Sequence, residues 1–297
     1  MLATVLVLAL QQAAPAVPRS LLLLLGALLL LGGLLLLGYL LLRRHRDWLG
    51  GRLLALDAFL ARRTPRLWRA IRRRFSRDAW HGLTLTLATL VFLGLLFLFA
   101  VITESWQSEG ALLALDQAVN EALRERLSAG FLAAVAWFTR LGGVEGALPI
   151  TLVLALVLAL RRSWWRLLAL LLSVGVGAAV MWGLKLYFAR LRPEGPLFSP
   201  TSASFPSGHS FTAMALYGFL LFLLWRWTPH PALRAAASLV LGLVIVLVGL
   251  SRVLLSVHWV SDVLGGLAVG LAWLIFSLMF VRALQHLFGR RKQALPP

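Results

Sequence analysis

Long runs of apolar residues constrain the fold of this chain more than any other feature of its sequence. A run of about 20 such residues is long enough to cross the hydrocarbon core of a bilayer as a helix. Because 60% of the 297 residues are hydrophobic and only 13% are charged, the composition excludes a disordered chain and an ordinary soluble domain. The sequence therefore predicts an all-α integral membrane protein with seven spans: Leu21–Leu42, Leu83–Ile102, Gly146–Leu160 (the least certain, and extended back through Leu141), Leu167–Leu184, Ser210–Trp225, Ala232–Leu250 and Trp259–Phe280.

The charged residues are divided unevenly between the predicted loops. The formal net charge is +18, and most of the lysine and arginine residues fall in loops that alternation of the spans places on one side of the membrane. Most of the acidic residues fall on the other side. Because cationic loops stay in the cytoplasm, the pattern predicts an outside N-terminus and a cytoplasmic C-terminus. The charge is thus a signal of topology first and of attraction to anionic lipids second, and no nucleic-acid partner is expected.

Two segments outside the spans have helical patterns of their own. Between the first two spans, Arg43–His81 carries apolar residues at helical spacing after Pro65, with arginines between them. A basic helix lying on the inner membrane surface fits this pattern, and a solvated arginine-rich linker fits it equally well. In Glu104–Arg140 leucines alternate with acidic residues, Asp116 among them, which predicts an amphipathic helix on the outer surface.

Three polar clusters interrupt the apolar sequence, and ionisable residues at a membrane are costly and usually functional. They are KLYFARLRP (Lys185–Pro193), PSGH (Pro206–His209) and SRVLLSVHWVSD (Ser251–Asp262). Each cluster by itself also fits a structural role: a cation at a helix end for the first, a helix start for the second and a hydrogen-bonded His258–Asp262 pair for the third. Alternation of the spans places all three on the outer side, so together they favour a single site. Arg140 and Arg190 are interpreted instead as interfacial anchors.

The clusters contain the chemistry of a phosphate site. Positive charge is concentrated in Lys185, Arg192 and Arg252, and arginine can bind phosphate oxygens in a bidentate manner. Free N–H groups at the start of a helix also bind anions, and the second cluster opens a predicted helix. In that cluster, proline suits the first turn, serine adds a hydroxyl donor and glycine permits close approach of the backbone: Pro206, Ser207 and Gly208.

The two histidines of the clusters have different surroundings in the sequence. His258 and Asp262 are four residues apart and share one face of the seventh span. The carboxylate can accept one ring N–H and leave the other nitrogen free to attack, so we expect His258 to be the nucleophile. His209 has no partner at that spacing and is better suited to donate a proton to a leaving oxygen.

A metal site is the competing interpretation of the same residues. Two histidines and one aspartate can bind a non-haem metal. The neighbouring cations would repel a metal ion, which disfavours this alternative. The chain has no cysteine, so it can form neither a disulfide nor a thiolate metal site.

The three clusters resemble the motifs of the type 2 phosphatidic acid phosphatase superfamily, also called the lipid phosphate phosphatases. The pattern is Lys-x6-Arg-Pro, then Pro-Ser-Gly-His, then Ser-Arg-x5-His-x3-Asp. The matching residues are Lys185, Arg192, Pro193, Pro206, Ser207, Gly208, His209, Ser251, Arg252, His258 and Asp262. The resemblance extends over about Leu83–Leu287 and implies the six-helix transmembrane core of that family. Residues 1–81 would then form an extra N-terminal transmembrane helix and a basic connector, and residues 82–297 the phosphatase domain.

The resemblance also implies a reaction. It implies metal-independent hydrolysis of a phosphate ester or anhydride through a phosphohistidine, with no cofactor. The roles agree with those expected from the residues: His258 as nucleophile, Asp262 as its orienting partner and His209 as general acid. Lys185, Arg192, Ser207, Gly208 and Arg252 would bind the phosphate.

This chain departs from many bacterial members at positions beside the reacting residues. Those members have Arg-Pro-Arg-Pro in the first motif, where this chain has a leucine, Leu191, between its arginines. They have glycine before the Val-His of the third motif and proline after its aromatic residue, where this chain has Ser256 and Val260. These are spacing residues, so the departures bear on the subfamily more than on the activity.

The expected function is therefore hydrolysis of phosphate from an amphiphilic lipid at the outer face of a bacterial inner membrane. Undecaprenyl pyrophosphate is the leading substrate expected from the side of the site and from the resemblance of the motifs to those of bacterial members, with phosphatidic acid and phosphatidylglycerol phosphate as close alternatives. A phosphotransferase using the same histidine is a second enzymatic possibility. A lipid-binding or lipid-scrambling protein without turnover is a possibility of a different class. Membrane lipids are the expected surroundings.

Overall fold

A computed structural model describes residues 59, 62–65, 83–108, 110–124, 127–193 and 202–293. The chain divides into two compact units, of which one is Val17–Thr89 and the other contains Leu90–Pro297. The first predicted span, Leu21–Leu42, and nearly all of the arginine-rich segment after it lie outside the described residues. The proposed boundary between residues 81 and 82 therefore stays a prediction.

The described part of the chain is helical and contains no strand. A 3₁₀ turn, Thr139–Gly142, joins the third helix to the fourth, and a π-helical turn, Leu171–Val176, joins the fifth to the sixth. The helices are α1 (Leu83–Gln107), α2 (Ala111–Arg124), α3 (Ala129–Phe138), α4 (Val144–Leu160), α5 (Trp164–Leu170), α6 (Gly177–Phe188), α7 (Gly208–Trp227), α8 (Pro231–Leu254) and α9 (Val260–Gln293).

Six helical segments of the described part are long and apolar enough to cross a membrane. They confirm the six predicted spans after the first. The third predicted span was the shortest because Gly142 and Gly143 interrupt its apolar pattern. In the structure the backbone is extended at Gly143, so α3 and the 3₁₀ turn are separated from α4 by a break, and together the three form the apolar segment Ala129–Leu160.

Helix α7 lies at the centre of the bundle and packs against both α8 and α9. Its apolar residues are its most buried part, with Phe211 and Phe219 almost completely enclosed. Helices in lipid associate through close packing at small residues rather than through the hydrophobic effect. Gly266 of α9 provides such a contact, because a Cβ there would lie 2.5 Å from the carbonyl oxygen of Ser207.

The predicted amphipathic helix after the first described span is present as α2. Its apolar face packs on the site end of the bundle, with Val119 and Leu123 against Val253 and Val263. Asp116, which the sequence pattern placed among the polar outer residues, is only 1% exposed. The helical pattern placed it on the surface because the pattern does not reveal its buried partner, Arg190.

The start of α7 differs from the expectation in one respect. The helix begins at Gly208 with Ser207 as its N-cap residue, and the Phe205–Pro206 peptide bond is cis. Pro206 therefore precedes the helix. The sequence had predicted it in the first turn. The backbone N–H groups that open the helix belong to Gly208 and the residues after it.

Candidate active site

The three polar clusters meet at one end of the bundle, where α6 and α8 end and α7 and α9 begin. The backbone N–H of Ser207 donates to the carbonyl of Asp262 at 2.9 Å, which joins the second cluster to the third. Lys185 Nζ donates to the carbonyl of Ala203, which joins the first cluster to the segment before α7. Arg192 and His258, which are 66 residues apart in sequence, therefore lie in one site. Alternation of the spans had predicted that the clusters would meet on one side.

His258 lies between a carboxylate and a guanidinium. Its Nδ1 is 3.2 Å from Oδ2 of Asp262, and its Nε2 is 3.3 Å from NH1 of Arg192. A guanidinium only donates hydrogen bonds. The contact with Arg192 therefore requires an unprotonated Nε2, and the ring proton lies on Nδ1, where the carboxylate accepts it.

Burial keeps this imidazole neutral. His258 is 3% exposed. Burial lowers the pKa of His258 to about 4, and the hydrogen bond and charge of Asp262 oppose that shift only in part. At neutral pH the ring is therefore uncharged, with a lone pair on Nε2 that can form a bond to an electrophile.

Three cations surround the neutral ring. Arg192 donates to the carbonyl of Ser202 at 2.9 Å and to that of Val257 at 2.6 Å. Arg252 is 8% exposed, and its NH1 donates to Thr139 Oγ1 at 3.0 Å. Burial lowers the pKa of Arg192, partly offset by the charge of Asp262. Arginine nevertheless stays protonated in proteins, so the pocket keeps its positive charge.

These cations form no close ion pair among the described residues, although the charges of Asp262 and Glu145 attract them from farther away. Lys185 is repelled by both Arg192 and Arg252. Within the described ranges, the ion pairs found involve Arg190 and His258, and none involves these three cations. The Nε atom of Arg252 is buried without a hydrogen-bond partner. A pocket of this kind is built to bind an anion.

His209 stands in the first turn of α7, beside the 3₁₀ turn that connects α3 to α4. A Cβ on Gly143 would lie 3.0 Å from its Nε2, so the glycine leaves room for the ring. His209 interacts electrostatically with Arg252 and His258, which places it at the same pocket. It has no carboxylate in an ion pair with it among the described residues.

Ser207 and Gly208 form the start of α7 at the pocket. Ser207 is fully buried, and its Oγ accepts a hydrogen bond from Ser210 at 3.0 Å. A Cβ on Gly208 would meet Lys185 Cε at 3.6 Å, an ordinary contact. Packing within the protein therefore does not require glycine at position 208. The expected role of Gly208, close approach of the backbone to a phosphate, stays a prediction.

The interpretation of Arg190 as an interfacial anchor is wrong. This residue is 7% exposed and forms ion pairs with Asp262 at 2.7 Å and with Asp116 at 2.9 Å. Arg190 follows Ala189, which ends α6 with a φ of 45°. That left-handed residue turns the chain, so the arginine points into the bundle instead of along the lipid surface.

Sequence reasoning also missed several polar residues that contact the predicted site residues. Ser204 Oγ donates to Asp262 Oδ2, and Thr139 Oγ1 accepts from Arg252. Ser204 stands in SASFPSGH, two residues before Pro206, so its place in the chain was a usable signal. Thr139 and Asp116 carried no such signal, because their partners lie 113 and 74 residues away in sequence.

A cavity of about 440 Å³ adjoins the cationic pocket between the end of α6 and residues 202–203. Lys185 and Arg192 form its polar wall, and Leu186 and Leu191 form part of its apolar wall. Leu191 is 85% exposed, so the apolar wall continues to the outside of the bundle. A cavity with one cationic and one apolar side suits an amphiphile with an anionic headgroup.

The alternative of a metal held by two histidines and an aspartate has no ligand set in the described ranges. No group of three or more histidine, aspartate or glutamate side chains is close enough together there to hold an ion. The carboxylate of Asp262 already accepts hydrogen bonds from the Trp259 N–H at 2.9 Å and from Ser204. The donor atoms thus support the histidine–aspartate pair in preference to a metal centre.

Fold and site together define an integral-membrane helical bundle with a neutral histidine in a cationic pocket at one end. The family model that matches the chain is that of the PAP2 superfamily, over residues 164–285. Phosphatidylglycerophosphatase B of Bacillus subtilis is 33% identical over 186 residues, which are 62% of this chain and 91% of that protein. Lipid A 1-phosphatase of Porphyromonas gingivalis is 37% identical over 114 residues, which are 37% of this chain and 23% of that protein.

A solved structure has the same fold. The crystal structure of a transmembrane PAP2-type phosphatidylglycerolphosphate phosphatase from Bacillus subtilis matches with a TM-score of 0.59 and 28% identity, covering 66% of this chain and 96% of that one. The chain belongs to the PAP2 superfamily of metal-independent membrane lipid phosphatases. The resemblance inferred from the three motifs is confirmed.

Proposed function

We propose that this protein hydrolyses the terminal phosphate of an amphiphilic lipid through a covalent phosphohistidine at His258. The observation that carries the proposal is the neutral His258 ring, oriented by Asp262 and surrounded by three cations without carboxylate partners in the described residues. An uncharged nucleophile and fixed positive charge are the two features that attack on a phosphate dianion requires.

The reaction would proceed in two steps. In the first step, Nε2 of His258 forms a bond to phosphorus and the bond from phosphorus to the lipid oxygen breaks. That oxygen takes a proton from His209, which the negative charge of the bound phosphate keeps protonated. In the second step, His209 takes a proton from water, the water oxygen attacks phosphorus, and the bond to Nε2 breaks. Asp262 stabilises the imidazolium character that develops on His258. Lys185, Arg192 and Arg252 hold the phosphate oxygens, and no step requires a metal ion.

The name of one relative favours a glycerophospholipid monoester as the substrate, and the name of the other refers to lipid A. The relative that covers the larger share of this chain is called a phosphatidylglycerophosphatase. Undecaprenyl pyrophosphate, the leading substrate expected from the sequence, has no such support. We propose phosphatidylglycerol phosphate as the first substrate to test, with undecaprenyl pyrophosphate and phosphatidic acid beside it. Hydrolysis, rather than transfer to an acceptor, is the activity that the phosphatase relatives favour.

We further propose that the site faces the outer side of a bacterial inner membrane and that the C-terminus is cytoplasmic. The support is the charge asymmetry of the loops. At the end of the bundle opposite the site, Arg161 and Arg166 lie over the ring of Trp227, at 5.4 and 5.9 Å. Aromatic rings mark either membrane interface, whereas an excess of arginine in the loops is typical of the cytoplasmic one.

The test measures phosphate release from the three lipids by the purified protein, with a chelator present. Phosphatidylglycerol phosphate should be hydrolysed without an added acceptor and without loss to the chelator. After rapid quenching, a phosphoenzyme should map to His258. His258→Ala should lower turnover at least ~100-fold. His230→Ala is the matched control, because His230 is exposed at the opposite end of the bundle and should leave turnover unchanged.

Three results would contradict the proposal. Near-normal turnover in His258→Ala would remove the nucleophile. Dependence of the product on a lipid or sugar acceptor would indicate a phosphotransferase. Binding of all three lipids without phosphate release would indicate a lipid-binding or scrambling protein.

A further inference from the structure

Arg190 is the centre of a buried group of polar contacts behind the candidate active site. Its NH1 donates to Oδ1 of Asp262 at 2.7 Å and to Oγ of Ser261 at 2.6 Å, and its NH2 donates to Oδ2 of Asp116 at 2.9 Å. Two carboxylates from different helices therefore share one guanidinium. Such a charge-assisted fork fixes geometry more strictly than a single contact does.

Aromatic rings restrict the same guanidinium further. Its central carbon lies 4.5 Å from the ring centroid of Trp106 and 5.6 Å from that of Trp259. Arginine stacks favourably on such rings, especially where water is excluded. The side chain of Arg190 is therefore held by contacts of two kinds, and it has little freedom to reorient when a substrate binds.

The two oxygens of Asp262 have separate partners. Oδ2 faces the His258 ring and also accepts from the Trp259 N–H and from Ser204. Oδ1 accepts from Arg190. Because a carboxylate is planar and rigid, a bond that fixes Oδ1 also fixes where Oδ2 points. Arg190 therefore controls the oxygen that orients the imidazole, although it forms no hydrogen bond with the imidazole itself.

Asp116 holds the other side of this arrangement. Its Oδ1 accepts from the backbone N–H of Ser261 at 2.9 Å, and its Oδ2 accepts from Ser261 Oγ and from Arg190. Asp116 belongs to α2, which is neither one of the six spans nor part of any motif that points to the reaction. Through Asp116 this helix is attached to the first turn of α9, next to Asp262.

We propose that Arg190 and Asp116 are positioning residues of the phosphatase: Asp116 fixes the Arg190 guanidinium, and Arg190 fixes Asp262 so that His258 Nε2 is aimed at phosphorus. This inference rests on the function proposed above for His258 and Asp262. Arg190 and Asp116 act through Asp262 and not on the substrate. Their loss should therefore lower kcat and leave KM nearly unchanged, where KM reports binding.

The choice of variants follows from the burial of the group. Removing the Arg190 charge would leave two buried carboxylates without a partner, which destabilises a protein strongly. Asp116→Asn is milder, because asparagine has the same size and keeps an oxygen for the Ser261 N–H. Its neutral amide no longer holds the Arg190 guanidinium. Arg190→Lys keeps the charge, but a single ammonium cannot form the fork to both carboxylates.

The experiment measures steady-state kcat and KM with one short-chain phosphatidylglycerol phosphate in detergent, and thermal unfolding of each variant. Asp116→Asn and Arg190→Lys should each lower kcat on the order of 10- to 100-fold, the loss typical when the partners that orient metal-bound histidines are removed. KM should change less than about twofold if it reports binding. Arg140→Gln is the matched control, since Arg140 is exposed near the same end, and it should behave as wild type.

A double-mutant cycle separates a positioning role from a structural one. If Asp116 acts through Asp262, adding Asp116→Asn to Asp262→Asn should cost little further kcat, so the two losses should not add. Additive losses would overturn the inference. So would a lowered melting temperature with normal kcat in the well-folded single variants.

The proposed function and this inference can fail separately. Absence of phosphate release by the wild-type protein would overturn the proposed function. Release by the wild type, a low kcat in Asp262→Asn and a normal kcat in Asp116→Asn and Arg190→Lys would overturn only the positioning role.

Discussion

The neutrality of His258 sets the acid limit of the proposed reaction. Its nucleophilic form is the unprotonated ring, and burial lowers its pKa from an ordinary value of 6.5 to about 4. As pH falls, kcat/KM should therefore decline through about 4 and not through 6.5, because protonation removes the attacking lone pair. A phosphate monoester titrates with a pKa of about 6 and adds a limb of its own. Two substrates with different phosphate pKa values separate the two limbs, and an enzyme limb near 6.5 would contradict the expectation.

Asp262 and Arg252 should affect different kinetic constants. Asp262 contacts the imidazole, so Asp262→Asn should lower kcat with little change in KM, provided KM reports binding. Arg252 faces the pocket with an unpartnered Nε, so Arg252→Lys should raise KM as well as lower kcat. Lysine keeps the charge without the planar fork and should retain only part of the activity. Steady-state kinetics on folded variants decides this, and the roles would be wrong if Asp262→Asn mainly raised KM while Arg252→Lys behaved as wild type.

Ser256 occupies a position that favours glycine. Its φ is 51°, in the left-handed region that costs most residues other than glycine energy. Ser256→Gly should therefore raise the unfolding free energy by about 0.5–1 kcal/mol, after the entropy that glycine loses on folding is subtracted. Ser163→Gly is the control, since its φ is −89° and it should bring no gain. Thermal unfolding in detergent measures both, and equal effects of the two changes would refute the explanation.

The same geometry explains why relatives differ at residues beside the motifs. Position 256 is left-handed, which accounts for the glycine that many bacterial members have there. Val260 is the first residue of α9, a position where proline is favoured because its missing N–H has no partner in the helix anyway. Both departures therefore concern backbone conformation, in agreement with their interpretation from the sequence as spacing residues.

Whether a site residue could be predicted depended on how far it lies in sequence from the residues that it contacts. The His258–Asp262 pair was predictable because its members are one helical turn apart. The three cations were predictable because each of them occupies a position of a known sequence motif. Arg190 was misassigned because its meaning depends on Asp116, which is 74 residues away and on another helix. Periodicity and composition carry no information about a contact of that kind.

At the scale of the helices, the close approach of α9 to the start of α7 depends on Gly266. A Cβ there would meet the Ser207 carbonyl oxygen at 2.5 Å and Ser210 Cβ at 3.0 Å, and the backbone atom cannot give way by itself. Gly266→Ala should therefore separate the second and third motifs, lowering both kcat and the melting temperature.

Gly242→Ala provides the matched control for this change. Gly242 lies inside α8, and a Cβ there would have nothing within 4 Å. Alanine is the better helix former by about 0.5–1 kcal/mol, so this variant should be as stable as wild type or more stable, with normal kcat. A normal kcat in Gly266→Ala would show that the two helices can separate without harm.

The presence of the helices was largely predictable from the sequence, but the residues at which they begin and end were not. Six spans followed from apolar runs because lipid imposes a minimum length on a helix that crosses it. The glycines before α4 mark a true break, since Gly143 is extended, and the sequence did not show that α3 before this break belongs to the same apolar segment, Ala129–Leu160. The amphipathic pattern of α2 predicted a helix but not which of its polar residues would face inward.

At the scale of the whole molecule, the proposed orientation can be tested with cysteines, since the chain has none. Ser128 and Ser163 lie just before α3 and α5, on opposite sides of the Ala129–Leu160 span. In intact spheroplasts, an impermeant thiol reagent should label Ser128→Cys and leave Ser163→Cys unlabelled. After lysis both should react, which is the control for accessibility. The opposite pattern would place the active site on the cytoplasmic face.

The hydrogen bond from the Ser207 N–H to the Asp262 carbonyl joins two motifs through main-chain atoms alone. No exchange of side chains deletes those two atoms, apart from a proline at position 207. The tie is therefore tolerant of most point mutations and sensitive to changes in chain length. Among natural variants, we expect substitutions around Ser204–Gly208 to be far more frequent than single-residue insertions or deletions, because a shift of one residue would offer the Asp262 carbonyl a different donor and turn His209 away from the pocket.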